Sequence, residues 1–275
     1  MLHFEAENLS LAQKPIGASE EHALMIAVDG AHSAGKTTVI RDYIQDKDLL
    51  VDGDIDDFGG THHYDYPTVC VTEIVDNITV PIVIVGEIAR QTDALYPQRN
   101  MLTTGYNKDD QASITLRTMS RTQGAGMSAL AMARKLQPDR EKAIGVVLTD
   151  SGVLSGFGYA MLRLPKENHA QANLASISDL ATPSFPISIA EQAYAFAADH
   201  YDKILLTDHT EVAFEDDGKR VVDDGFRSQV ADTIAALYRA HLSPNKVELL
   251  HGDRSARVAK LSSHIHGLIN LELES

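Results

Sequence analysis

A three-layer α/β fold with a mostly parallel central sheet is what this sequence predicts. Short β-branched apolar runs alternate with longer helix-like stretches, the pattern of strands joined by right-handed helical crossovers. The apolar run 23–28 passes directly into Gly30-Ala31-His32-Ser33-Ala34-Gly35-Lys36-Thr37, and a helix-like segment follows. The chain has 275 residues, 44% of them hydrophobic, enough for one large domain with a substantial core.

Residues 1–20 are polar and mixed and read as a peripheral N-terminal segment, leaving one domain over 21–275. Residues 23–28 form a buried strand and Lys36–Ile44 a helix. The acidic, glycine-rich stretch 51–60 is a loop. Two β-branched runs, 68–75 and 78–85, are split by Asp76-Asn77 as a hairpin would be, although Pro81 weakens the opening of the second. Residues 110–136 predict a long helix with Gly124 and Gly126 as weak points. The run 143–148 is a buried strand ending at Thr149-Asp150, and 152–162 is a glycine-rich turn and helix. Residues 188–200 form a helix opened by the capping pattern Ser188-Ile189-Ala190-Glu191. Then come a strand at 203–207, a charged loop at 208–224, an amphipathic helix at 226–241, a strand at 247–250 and a terminal helix at 255–268.

A formal net charge of −15 argues against broad binding to nucleic acid or anionic membrane. No run is long enough for a membrane helix and no basic-then-apolar leader is present, so the expectation is a cytoplasmic protein with neither partner. A homo-oligomer is left open. The single cysteine, Cys70, excludes an internal disulfide, and within Val69-Cys70-Val71 it reads as a buried, inert thiol.

Gly30 to Thr37 match the G-x-x-x-x-G-K-[ST] phosphate-binding loop in its strand–loop–helix context. In such a loop backbone N–H groups close around phosphate oxygens and the helix N-terminus adds positive potential. Gly30, His32, Ser33, Ala34, Gly35, Lys36, Thr37 and Thr38 are therefore the candidate nucleotide-binding residues. Lys36 would reach the β- and γ-phosphates, and the Thr37 hydroxyl would ligate Mg²⁺. In an open parallel sheet the ligand lies at the carboxyl ends of the strands. Two carboxylates stand at such ends: Glu87 after the run 82–86, and Asp150 after the strand ending at Leu148. Asp150 has the Walker B arrangement and is the second candidate for Mg²⁺; Glu87 could orient or deprotonate an acceptor. Each also reads as a helix cap or a surface charge. Arg220 and Arg227, in or beside the charged segment 208–225, are placed as a lid closing over a transferred phosphoryl group would need. Spacing alone favours the plainer reading of a solvated charged loop with Arg227 in a helix salt bridge.

Other polar clusters take plainer readings. His62-His63 and His264-x-His266 lack a third ligand at informative spacing, and 52–57 lacks the glutamate a calcium loop needs. Tyr64 and Tyr66 read as packing residues, and Lys108, Arg117 and Arg121 as a solvated face.

Taken together, these stretches resemble the P-loop nucleoside and nucleotide kinases. Within them the chain is most similar to the AAA-domain-like group that includes the ribosylnicotinamide kinase domain of the bifunctional NAD-biosynthesis regulator. The resemblance is carried by the phosphate loop, by Gly86-Glu87-Ile88-Ala89-Arg90, by Thr149-Asp150 with Gly158-Tyr159-Ala160, and by Tyr201-Asp202-Lys203-Ile204-Leu205-Leu206 with Asp217-Gly218-Lys219-Arg220 and Phe226-Arg227. Gly252-Asp253-Arg254 to Arg257 resembles the family's last strand-to-helix turn, which implies Arg257 near the adenine. The resemblance implies a P-loop NTPase fold of nucleoside-monophosphate-kinase type. It raises Glu87, Arg220 and Arg227 as catalytic residues, and it makes the segments near 51–80 and 91–109 insertions that shape an acceptor pocket. Ser151 departs from it, since many members carry Asp-Arg where this chain has Asp150-Ser151.

The expected activity is transfer of the ATP γ-phosphate, with Mg²⁺, to a small nucleoside- or nucleotide-like acceptor. The alternative is a nucleotide-dependent regulatory ATPase or GTPase that binds a protein partner. A scaffold that binds nucleotide without turnover is the third reading.

Overall fold

The computed structural model describes residues 21–32, 34–45, 47–48, 69–89, 108–162, 187–211 and 224–275. The strands are β1 (Leu24–Asp29), β2 (Val69–Val75), β3 (Ile78–Val85), β4 (Val146–Asp150), β5 (Lys203–Thr207) and β6 (Val247–Leu250). Among the described residues they form one sheet in the order β2-β3-β4-β1-β5-β6. Every pairing is parallel except β2 with β3. The helices are α1 (Lys36–Ile44), α2 (Lys108–Leu136), α3 (Ser155–Leu162), α4 (Ile187–His200), α5 (Asp224–His241) and α6 (Arg254–Glu274).

The alternation of side chains along β1 explains the layers. Leu24, Ile26 and Val28 face Ile40 and Ile44 of α1 and Leu261 and Ile265 of α6. Met25 and Ala27 face the opposite way, into a core shared with Ala129 of α2, Phe157 of α3, Ala193 of α4 and Ile234 of α5. Because both faces of β1 are covered, its sequence is an unbroken apolar run rather than an alternating one. Burying each such isoleucine or leucine contributes about 1.5–3 kcal/mol.

Gly126 is not a weak point in α2. The helix runs unbroken from Lys108 to Leu136, and a Cβ at Gly126 would meet Met25 Cε at 2.7 Å. The glycine lets α2 lie close on β1. The hairpin forms as expected, with Asp76 (φ 50°) and Asn77 (φ 65°) both left-handed between Val75 and Ile78. That is the two-residue turn matched to strand twist. Pro81 is tolerated because the ladder to β4 starts at Ile82. Residues 69–80, read as part of an insertion, are β2 and the opening of β3, continuous with the sheet. Residues 51–68 and 91–107 lie outside the described residues, as do His62, His63, Tyr64 and Tyr66. Helix α4 starts at Ile187, so Ser188 lies inside its first turn and is not its cap. Helix α6 continues beyond Leu268 to Glu274, because Ile269 and Leu273 go on packing against the α1 face of the core.

Cys70 is fully buried, and burial pushes its thiol up to about 11. No described helix is long and apolar enough to cross a membrane.

Glu248 on the edge strand β6 meets Lys260 at 2.8 Å, Lys203 at 3.0 Å and His264 at 3.2 Å. The hydrogen bond from Lys260, helped by Lys203 and the His264 charge, holds its carboxyl down to about 2. A depressed folded pKa means stability that is present above the unfolded value and lost as pH falls through the folded one. The side chain is part-exposed, so the gain is at most about 1 kcal/mol. Glu248→Gln should lower Tm by roughly 2–4 °C at pH 7, and the gap should narrow between about pH 5 and pH 2. Thermal melts across that window check it; a gap independent of pH would remove the ionised cluster as its cause.

Candidate functional site

The connections of β1 and β4 diverge. From β1 the chain leaves over α1 toward β2 and β3; from β4 it leaves over the opposite face, through α3 and α4, to β5 beyond β1. Adjacent parallel strands whose connections separate leave a crevice at their carboxyl ends. Gly30–His32, Ala34–Thr37 and Asp150 border that crevice.

Gly30 has φ 135° and Gly35 has φ 82°, both in the region that favours glycine. A Cβ at Gly30 would also lie 2.6 Å from Thr207 Oγ1. The two glycines therefore allow the loop to leave β1 against β5 and to turn into α1. Lys36 is buried, and its Nζ donates to the carbonyls of Gly30 (3.1 Å) and Ala31 (2.8 Å). Thr37 Oγ1 donates to Asp150 Oδ2 at 2.5 Å. This places an alcohol and a carboxylate, both hard oxygen donors, side by side at the crevice, a set that suits Mg²⁺. Among the described residues no three His, Cys, Asp or Glu side chains gather as a metal cage. Mg²⁺ bound with phosphate takes only one or two protein ligands.

Ala34 is buried in the loop and Thr38 is half-buried in the first turn of α1; Ser33 lies outside the described residues. His32 is buried, its backbone N–H donating to Tyr159 OH at 2.8 Å. Its ring stands 6.2 Å from those of both Tyr159 and Phe226. Ser151, the departure from the family pattern, has φ 88°, rare for a residue with a Cβ. Its N–H donates to Val28 O at 3.0 Å, which ties the turn after Asp150 to β1.

The residue ahead of the loop was missed. Asp29 is fully buried at the end of β1. Its Oδ1 accepts the Gly30 N–H at 2.7 Å and the Ser155 hydroxyl, and its Oδ2 accepts Tyr238 OH at 2.6 Å. Burial, with the Asp29 charge beside it, holds the Tyr238 phenol protonated far above its usual range. Gly152 makes room for this network, since a Cβ there would sit 2.0 Å from Tyr238 OH. A carboxylate closing an apolar strand was the available signal; its partners on α3 and α5 were not, being 126 and 209 residues away.

Of the candidate arginines, Arg227 and Arg257 are both buried. Arg227 lies in the first turn of α5, not on a loop, where Nη2 donates to His209 O at 2.6 Å and Nη1 faces Asp224 at 3.5 Å. Burial and the neighbouring Arg257 charge lower its pKa, against the opposing charge of Asp224. Arg257, on α6, donates to the carbonyls of Ala34 (3.1 Å), Asp208 (2.8 Å) and Gly252 (2.9 Å) and meets Glu211 at 3.1 Å. It clamps the loop to the turns after β5 and β6. Glu87 is half-buried just past β3, at the same sheet edge but beyond β4 from the loop. Arg220 and residues 212–223 lie outside the described residues. His264 and His266 pair with Glu248 and Glu73. Arg121 is exposed and Arg117 half-buried on α2.

No protein-family model matches the chain and no curated protein is significantly similar to it, so its reading rests on these residues and their geometry.

Proposed function

We propose that the chain is an ATP- and Mg²⁺-dependent phosphotransferase acting on a small nucleoside- or nucleotide-like acceptor. The observation that carries this reading is the 2.5 Å contact between Thr37 Oγ1 and Asp150 Oδ2 at the β1–β4 crevice. Two motifs 113 residues apart in sequence supply there the oxygen pair that phosphoryl transfer requires. Bound Mg·ATP supplies the phosphoryl group with its charge partly neutralised.

The chain's own residues do the rest. The loop amides and Lys36 bind the donor phosphates, with the Lys36 ammonium already aligned by two carbonyls. Thr37 and Asp150 hold the metal position. Glu87 orients the acceptor or takes its proton. Arg227 adds positive potential from a buried position, and Arg220 keeps the charge-stabilising role its sequence context implies. Arg257 serves the nucleotide by fixing the loop through Ala34.

The test is ADP release from ATP and Mg²⁺ against a panel of nucleosides, nucleoside monophosphates and nicotinamide riboside. One acceptor is expected to raise release by at least about tenfold over the acceptor-free rate. Release that no acceptor changes would overturn the kinase reading in favour of a regulatory NTPase.

A further inference from the structure

Helix α3 presents two side chains to the loop. Ser155 and Tyr159 are four residues apart and so share one helix face. The Ser155 hydroxyl donates to Asp29 Oδ1, which also accepts the Gly30 N–H. The Tyr159 hydroxyl accepts the His32 N–H at 2.8 Å and lies 3.2 Å from His32 Nδ1. Between these two anchor points stand the carbonyls of Gly30 and Ala31, the two acceptors of the Lys36 ammonium.

One peptide unit makes the link direct. The Ala31 carbonyl and the His32 N–H belong to the same rigid plane and point in opposite directions within it. Lys36 is bound on the carbonyl side and Tyr159 on the N–H side, so rotation of this peptide away from Tyr159 would carry the carbonyl away from the ammonium. The rings of His32 and Phe226, centred 6.2 and 6.5 Å from the Tyr159 ring, limit its swing.

We propose that Ser155 and Tyr159 make α3 the positioning element for Lys36, holding the backbone from Gly30 to His32 so that the ammonium is aimed at the phosphates. This rests on the phosphate-binding reading of the loop. Both are positioning residues, because they act on Lys36 through the backbone. Helix α3 follows directly on the turn after Asp150, so the metal-side carboxylate and the lysine are aligned by one stretch of chain.

The experiment is a double-mutant cycle on binding of the non-hydrolysable analogue AMP-PNP with Mg²⁺, measured by calorimetry on the full chain. Tyr159→Phe keeps the ring packing and removes the hydroxyl. With Lys36 present it should weaken binding by about fivefold; in the Lys36→Ala background, by less than about twofold. Equal weakening in both backgrounds, or none in either, overturns the proposal and leaves Tyr159 a packing residue. Ser155→Ala should show the same dependence on Lys36, and it decides the matter if the phenylalanine variant does not fold. Absence of AMP-PNP binding by the wild-type chain would instead overturn the phosphate reading of the loop, and this inference with it.

Discussion

Lys36→Ala should lower turnover with the best acceptor by on the order of 10³-fold while leaving Tm within about 4 °C of wild type. The two effects separate because of where the ammonium sits. It contributes little to the core: its partners are two loop carbonyls at the edge of the crevice, which water can reach once the side chain is gone. In the proposed phosphotransfer its charge, in contrast, would be held where the transferred group becomes most negative. A preorganised cation at a partly dry site is worth far more to such a transition state than the same charge in water. ADP-release kinetics and a thermal melt on the same preparation give both numbers. Wild-type turnover in the variant would show that the loop is not the phosphate site. A collapse of Tm would show that Lys36 is a folding residue first.

Arg257→Ala should be the most destabilising single change near the site, by about 3 kcal/mol, or roughly 10 °C in Tm. The side chain is almost fully buried and bonds three carbonyls from three separate turns, those of Ala34, Asp208 and Gly252. Its loss strands those acceptors and leaves the Glu211 carboxylate without its guanidinium. Arg257→Lys should recover less than half, because one ammonium cannot span the directions a planar guanidinium reaches. Nucleotide affinity should fall with stability in both variants. An alanine variant that kept its Tm but lost affinity would make Arg257 a direct ligand contact, as its resemblance to the family's adenine-side turn implies.

Much of this architecture was legible because it depends on local periodicity. The limits of α1, β3, β5 and β6 are where pattern and turn residues place them, and the Asp76-Asn77 hairpin follows from backbone preferences confined to two residues. Gly126 was misread for a complementary reason. A glycine inside a helix weakens it in isolation, but here the missing side chain makes room for Met25, which only the packed structure reveals. Arg227 was read with the charged segment before it. Its burial depends on α5 packing beside the turn at His209, which no local pattern encodes.

By itself the sequence determined the α/β alternation, the Gly30–Thr37 loop in its strand–helix setting, and Asp150 at the end of a buried strand. Each follows from residues adjacent in the chain. The tertiary structure decided which strand ends meet. It set Asp150 against Thr37, brought Ser155 and Tyr159 of α3 to the two ends of the segment that holds Lys36, and closed Tyr238 over Asp29. These contacts join residues more than a hundred positions apart, and their partners are chosen by strand order and helix packing, which no spacing in the chain records.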